Sequence, residues 1–204
     1  MLKKVIFFLF FFQAFVLNSC GTSESKLRIL TGHAIGTTYS IRYLDSAERS
    51  FEQEIDSLIK AVNKATSTYS PGSDISKINN GDTTIVVNKI FKDIFLKCER
   101  IYTETEGAFD PTIGILVNAW GFGPETTAGD IDSLQIKSLL KYVGFNKVAL
   151  KNDRVYKRYP EIYFDFNAIG KGYLVDMVGR MFESHNIDNY MVEIGGEIRA
   201  RGHN

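Results

Sequence analysis

From residue 36 onward the chain alternates apolar and polar positions in short runs separated by turn residues. Residues 36–44 put Tyr39, Ile41 and Tyr43 on one face, the period-2 pattern of a strand. Phe51, Ile55, Leu58, Ile59 and Val62 then recur at helical spacing, with Ser46 as the expected N-cap. A second stripe, Phe91, Ile94, Phe95, Cys98 and Tyr102, predicts a helix capped by Asn88, running to about Thr105 and stopped by Gly107. A third helix is expected over residues 133–143, carried by Ile136, Leu139, Leu140 and Val143 and ended by Gly144. Residues 148–150 and 155–159 flank Asn152-Asp153 as a hairpin, residues 162–166 read as a strand, and residues 190–194 and 197–201 flank Gly195-Gly196 as a last hairpin. Helices and strands mix without strict alternation. The expected fold class is therefore α+β, a single mixed domain built around antiparallel sheet with packed helices.

The N-terminus follows a different pattern. Lys3 and Lys4 precede an apolar run from Val5 to Leu17 that holds six of the fifteen Phe, followed by Leu17-Asn18-Ser19-Cys20-Gly21. A basic start, an apolar core too short to span as a mature helix, and a small residue before a cysteine make a secretory signal over residues 1–19. Its ending resembles a bacterial lipobox, which makes Cys20 the lipidated first residue of the mature protein; the plainer alternative is an ordinary signal peptide with Cys20 incidental. Residues 20–26 are then a short polar tether and residues 27–204 the folded domain. Without the signal the chain carries 22 basic against 24 acidic residues, which gives no reason to expect a nucleic acid partner. With Cys20 lipidated, Cys98 has no disulfide partner, and its place on an apolar stripe marks it as buried filler rather than a nucleophile.

Four segments carry candidate chemistry. In Asp165 to Asp176, DFNAIGKGYLVD, an aromatic strand enters a polar turn with Asp165 and Asn167, passes Gly170-Lys171-Gly172, and opens a helix with apolar Leu174, Val175, Val178 and Met181. Backbone N–H groups left free at such a helix start favour phosphate, and Asp165 suggests a cation or a hydroxyl or amino donor nearby. Ser67 to Asp74 is dense in hydroxyls around a Pro71-Gly72 turn. A short helix started by Ser73 or Asp74 and carried by Ile75 and Ile78 explains most of it, but not the aromatic Tyr69. In Gly107-Ala108-Phe109-Asp110-Pro111-Thr112 and on to Asn118-Ala119-Trp120-Gly121-Phe122-Gly123, small residues allow close approach to a flat ligand and aromatics allow stacking. Packing of that glycine-rich loop on the only Trp is an equally good account, while Pro111 holds Asp110 extended. Glu193-Ile194-Gly195-Gly196-Glu197 is an ordinary hairpin turn taken alone.

Taken in chain order, with Ile35-Gly36-Thr37 ahead of them and the last segment running on to Gly202, these segments resemble the ApbE family of FAD:protein FMN transferases nearly end to end. The resemblance implies a mixed α/β domain built on antiparallel sheet. It implies cleavage of FAD, attachment of FMN to a threonine or serine of a target protein and release of AMP. The acceptor would be a flavoprotein subunit of a respiratory or electron-transfer complex. The chain would work from a cell membrane by its lipid anchor, facing the periplasm or extracytoplasmic space. It also implies that Ile35, Tyr69, Ala108, Phe109, Asp110 and Asp165 hold FAD, and that the Ala168 carbonyl is one ligand of Mg2+. Lys171 either faces phosphate or is solvated, and Asp176 braces a neighbouring loop.

One departure from the family pattern stands out. Its Asp-Ala-x-x-Thr metal motif and an activity-linked histidine lie further along than Asn204, and His33, His185 and His203 do not match that histidine. A fragment of a longer protein is the favoured reading of this departure, with a truncated and inactive product as the other. Two rival functions follow: a pyrophosphatase that splits FAD into FMN and AMP with water, and a lipid-anchored FAD-binding protein without turnover.

Overall fold

The structure is a computed structural model that describes residues 24–125 and 131–203. The expected signal (1–19), Cys20 and the first part of the tether lie outside the described residues. No helix among the described residues is long and apolar enough to cross a membrane.

A four-stranded antiparallel sheet is ordered β1-β2-β5-β6, with β1 Lys26–Ala34, β2 Thr37–Asp45, β5 Tyr190–Ile194 and β6 Glu197–Arg201. The hairpin β3 (Val148–Lys151) and β4 (Arg154–Lys157) stands apart from it. The helices are α1 (Glu52–Thr66), α2 (Asp74–Asn79), α3 (Lys89–Glu104), α4 (Gly114–Ala119), α5 (Ser133–Leu139) and α6 (Asn167–Ser184). Tyr39, Ile41 and Tyr43 of β2 and Val192 and Ile194 of β5 bury one sheet face, as their alternation requires. Helix α6 packs on β5 and β6 and against α1, while α3 packs behind both helices. Two aromatic groups mark the seams. Tyr43, Phe51, Phe182 and Tyr190 join sheet to helices, and Phe91, Phe95, Phe145, Phe164 and Phe166 join α3 to the chain entering α6.

The α+β class and most elements follow the sequence pattern. Asn88 caps α3 by accepting from Phe91 N at 3.0 Å, and Ser73 caps α2 by accepting from Ser76 N at 3.1 Å. Cys98 is buried within α3, and that burial pushes its thiol up to about 12, so it is inert filler as expected.

Several boundaries differ. Helix α1 starts after Phe51 rather than at Ser46, because Asp45 turns the chain first: its carboxylate accepts from the N–H groups of Ala47 and Arg49 and from the Arg49 guanidinium. Lys26, assigned to the tether, already pairs with Asp45 across β1 and β2. Helix α5 ends at Leu139 and passes into a 3-10 turn, with Asp132 and Gln135 forming a capping box at its start. Residues 162–166 are not a strand; they make a single parallel bridge, Ile113 to Tyr163.

Asp45 is only 3% exposed, and the Arg49 side chain holds its carboxyl down to about 2. A carboxyl depressed in the folded state adds stability above the ordinary carboxylate range, and that part is lost as pH falls through the folded value. Allowing for the half-exposed Arg49 partner, Asp45→Ala should cost roughly 1–2 kcal/mol at pH 7, or about 4 °C in Tm. Thermal melts across pH should show the gap to wild type closing as pH falls from 4 toward 2.

Candidate functional site

One end of the sheet gathers the motif segments. The β1–β2 turn is Ile35-Gly36, with φ of 41° and 80°, and the β5–β6 turn is Gly195-Gly196, with φ of 57° and 91°. Both tight turns need left-handed backbone at two residues. Glycine adopts it freely, but Ile35 is β-branched and pays strain for it. The two turns touch: Gly195 N donates to Thr38 O at 3.0 Å, and a Cβ on Gly195 would stand 2.7 Å from Thr37 Cγ2.

Beside them opens a cleft of about 540 Å³, lined by Ile35, Thr37, Asn63, Thr66 and Ser67 at the sheet and α1, and by Tyr69, Asn167, Gly170 and Lys171. Its size is that of a small-molecule site. Concavities of about 580 Å³ between α3 and α6, and about 660 Å³ on the outer sheet face, are as large but hold none of the candidate residues. Lys171 is paired with Glu197 at 3.3 Å while lining the cleft. Asp176 does brace its neighbour, accepting from Arg199 on β6 at 2.9 Å. Gly179 allows that contact, since a Cβ there would lie 2.5 Å from Arg199 Cδ.

Tyr69 stands at the rim. Its hydroxyl donates to Phe122 O at 3.0 Å, tying the Ser67–Tyr69 turn to the Trp120–Gly123 loop. Tyr69, Trp120 and Phe122 are 62%, 55% and 77% exposed, so the loop is not packed on its Trp. Three exposed aromatics on two segments joined by that bond suit stacking on a planar ligand. The loop is nonetheless tight, because any Cβ on Gly123 would collide with the Asn118 side chain.

Asp165 lies where two motifs meet. Asp165 N donates to Pro111 O at 2.8 Å and Gly114 N to Tyr163 O at 3.1 Å. A Cβ on Gly114 would sit 2.8 Å from Tyr163 O, so only glycine lets the two segments run this close. The flanking Phe164 and Phe166 are buried, leaving half-buried Asp165 between two anchors. One Asp165 oxygen accepts from Asn167 N at 2.7 Å.

Ala108, Phe109, Asp110 and Asp165 are not among the residues lining the cleft, although Phe166 and Asn167, next to Asp165, are. Both Asp110 oxygens are used within the chain: one accepts from Thr112 N and Oγ1, the other from Phe145 N at 3.2 Å. These partners turn the carboxylate inward, tying its loop to the turn at Gly144-Phe145.

The expected phosphate cradle is altered in one respect. Helix α6 begins at Asn167, so Gly170 and Gly172 lie inside it, and the Ile169 and Gly170 N–H groups both donate to Phe166 O. The glycines therefore supply room rather than free donors: a Cβ on Gly170 would meet only Thr66 Oγ1, at 4.0 Å, and one on Gly172 nothing. Ala168 lies in the exposed first turn of α6. Among the described residues no three His, Cys, Asp or Glu side chains come together to hold a metal ion. Those residues do not by themselves fit a magnesium centre.

Sequence reading missed Asn79 and Lys157. The Asn79 side chain donates to Phe164 O at 2.9 Å and accepts from Phe164 N at 2.8 Å. Lys157 Nζ donates to Asn79 O at 3.3 Å, Pro160 O at 2.8 Å and Ile162 O at 3.0 Å, and burial draws its ammonium down to about 8. The only trace of Asn79 in the sequence is a polar residue straight after the Ile75–Ile78 stripe.

A mixed α+β domain whose motif loops meet at one end of an antiparallel sheet is the class that this fold defines. Residues 35–204 match the model of the ApbE family, and the chain belongs to that family. It is 37% identical to the FAD:protein FMN transferase of Haemophilus influenzae, across 94% of this chain and 59% of that relative. It is 36% identical to the enzyme of the same name from Vibrio cholerae, across 86% and 54%. Among solved structures, the flavin transferase ApbE of Vibrio cholerae aligns with a TM-score of 0.82 at 35% identity, over 88% of this chain and 60% of that one. The apo flavinyl transferase ApbE of Pseudomonas stutzeri gives a TM-score of 0.82 at 26% identity, over 89% and 62%. The chain thus spans little more than half the length of these curated relatives.

Ile35→Asn tests the strained turn. Asn tolerates left-handed backbone, so the variant should be more stable by about 1 kcal/mol in denaturant unfolding.

Proposed function

We propose that this chain carries the flavin-binding part of an FAD:protein FMN transferase. The observation that carries the reading is the cleft at the sheet end, where Ile35, Tyr69 and the first turns of α6 converge, with Tyr69 hydrogen-bonded to the loop of the exposed Trp120 and Phe122. In this reading the isoalloxazine stacks at the aromatic rim, Asp165 hydrogen-bonds the nucleotide, and the side of α6 left open by Gly170, beside Lys171, takes the diphosphate. Ala108, Phe109 and Asp110 lie outside this cleft, and it is the next residues of their loop, Pro111 and Gly114, that hold the Asp165 segment.

The reaction is a phosphoryl transfer. The hydroxyl oxygen of an acceptor threonine or serine bonds to the FMN phosphorus, the bond from that phosphorus to the bridging oxygen breaks, AMP leaves, and the hydroxyl proton is released. Such chemistry needs mainly positioning and charge neutralisation. Mg2+ would supply counter-charge on the diphosphate, with the Ala168 carbonyl as one of its ligands. The acceptor is a flavoprotein subunit of a respiratory or electron-transfer complex. Lipid on Cys20 would hold the domain, residues 27–204, at a membrane outside the cytoplasm.

Incubation with FAD, Mg2+ and an acceptor peptide should give FMN-labelled peptide and AMP, and EDTA should stop both. Free FMN without labelled peptide would replace transfer by hydrolysis, and bound flavin without AMP would leave a binding protein. Asp165→Asn should weaken FAD binding about tenfold in a fluorescence titration with Tm unchanged, the loss of one charged hydrogen bond. Unchanged affinity would remove Asp165 from the site.

A further inference from the structure

Asn79 acts on Phe164 as a neighbouring strand would, donating to the carbonyl and accepting from the N–H of the same residue, at 2.9 and 2.8 Å. Both groups are buried, so neither bond exchanges readily with water. Asn79 is itself held from behind by Lys157, whose ammonium bridges its carbonyl to those of Pro160 and Ile162. At the other end of α2, the Ser73 hydroxyl donates to Ser67 O at 2.6 Å, and the Ser76 hydroxyl donates to Ser67 O and Thr68 O at 3.1 and 3.2 Å. A six-residue helix thus ties the turn bearing Tyr69 to the peptide preceding Asp165.

We propose that Asn79 is a positioning residue for the cleft: its side-chain amide, backed by Lys157, fixes the backbone from which Asp165 projects, and α2 transmits that constraint to Tyr69. The proposal deepens the flavin reading and rests on it for the identity of the ligand. Asn79 touches no ligand; it acts through Phe164 at one end and Ser67 at the other. A short helix with both ends held by hydrogen bonds moves as a rigid strut, so displacement at either end shifts Tyr69, which lines the cleft, and Asp165, next to its lining residue Phe166, together.

The test uses the full chain and three variants, Asn79→Ala, Asn79→Asp and Lys157→Met, read by residue-resolved amide hydrogen exchange and by FAD fluorescence titration. In Asn79→Ala, exchange at Phe164 should accelerate at least about tenfold while amides of β2 and β5 keep their rates, and the FAD Kd should rise about tenfold. Asn79→Asp keeps the acceptor for Phe164 N–H and should fall between Ala and wild type in both measurements. Lys157→Met, which leaves the Asn79 side chain in place, should give the same local signature at smaller size, and it decides the matter if Asn79→Ala fails to fold. Unchanged Phe164 exchange would overturn the proposal. So would an unchanged FAD Kd in a chain that binds FAD, or an affinity loss that merely follows faster exchange throughout β2 and β5. Wild-type chain that fails to bind FAD overturns the flavin reading alone, since the exchange measurements still decide whether Asn79 fixes the Asp165 backbone.

Discussion

A buried segment without a strand neighbour must still satisfy every backbone N–H and C=O, and in this protein residues 162–166 are that segment. Most of these groups are taken up, and from four directions. Lys157 takes the Ile162 carbonyl, Gly114 N–H takes that of Tyr163, and Asn79 takes both groups of Phe164. Pro111 O takes the Asp165 N–H, and the first turn of α6 takes the Phe166 carbonyl. The partners come from four separate stretches of chain, so satisfying the segment also assembles the site. The hairpin, α2, the Asp110–Gly114 loop and α6 are all drawn to one place.

This explains why Asp165 can sit on an irregular loop and still be held in a defined position. The aromatic pair around it is buried against α3, and burial of two Phe side chains is worth several kcal/mol. Packing fixes the direction of the loop while the hydrogen bonds fix its register. The rim behaves differently. Tyr69, Trp120 and Phe122 have one hydrogen bond among them and large exposed faces, which leaves them free to adapt to a flat ligand.

Much of the fold was legible in the pattern. The period-2 run at 36–44, the stripes of α1 and α3, the caps at Asn88 and Ser73 and the hairpin turns at Asn152-Asp153 and Gly195-Gly196 depend on contacts within a few residues, which sequence records directly. The misplaced boundaries have two causes. Ser46 is a good cap by type, but another local device, the Asp45 carboxylate bonded to Ala47 and Arg49, turns the chain before a helix can start. Residues 162–166 have strand composition, but the tertiary structure sets side chains and loops rather than a strand beside them.

The site divides along the same line. Sequence alone determined which residue types were available: an aromatic in a hydroxyl-rich turn, an aspartate before two glycines, small residues in a loop with a Trp. It determined the family as well, because ordered motifs survive in the chain whatever the fold does with them. Only the tertiary structure decided that Ile35 and Tyr69 share a cleft with α6, that Asp110 serves its own loop, and that Gly170 lies within a helix with its N–H already bonded. Asn79 and Lys157 belong wholly to that second kind. Their partners stand 85 residues away for Asn79 and 78 for the most distant carbonyl of Lys157, and hydrogen bonds over such separations leave no periodicity to read.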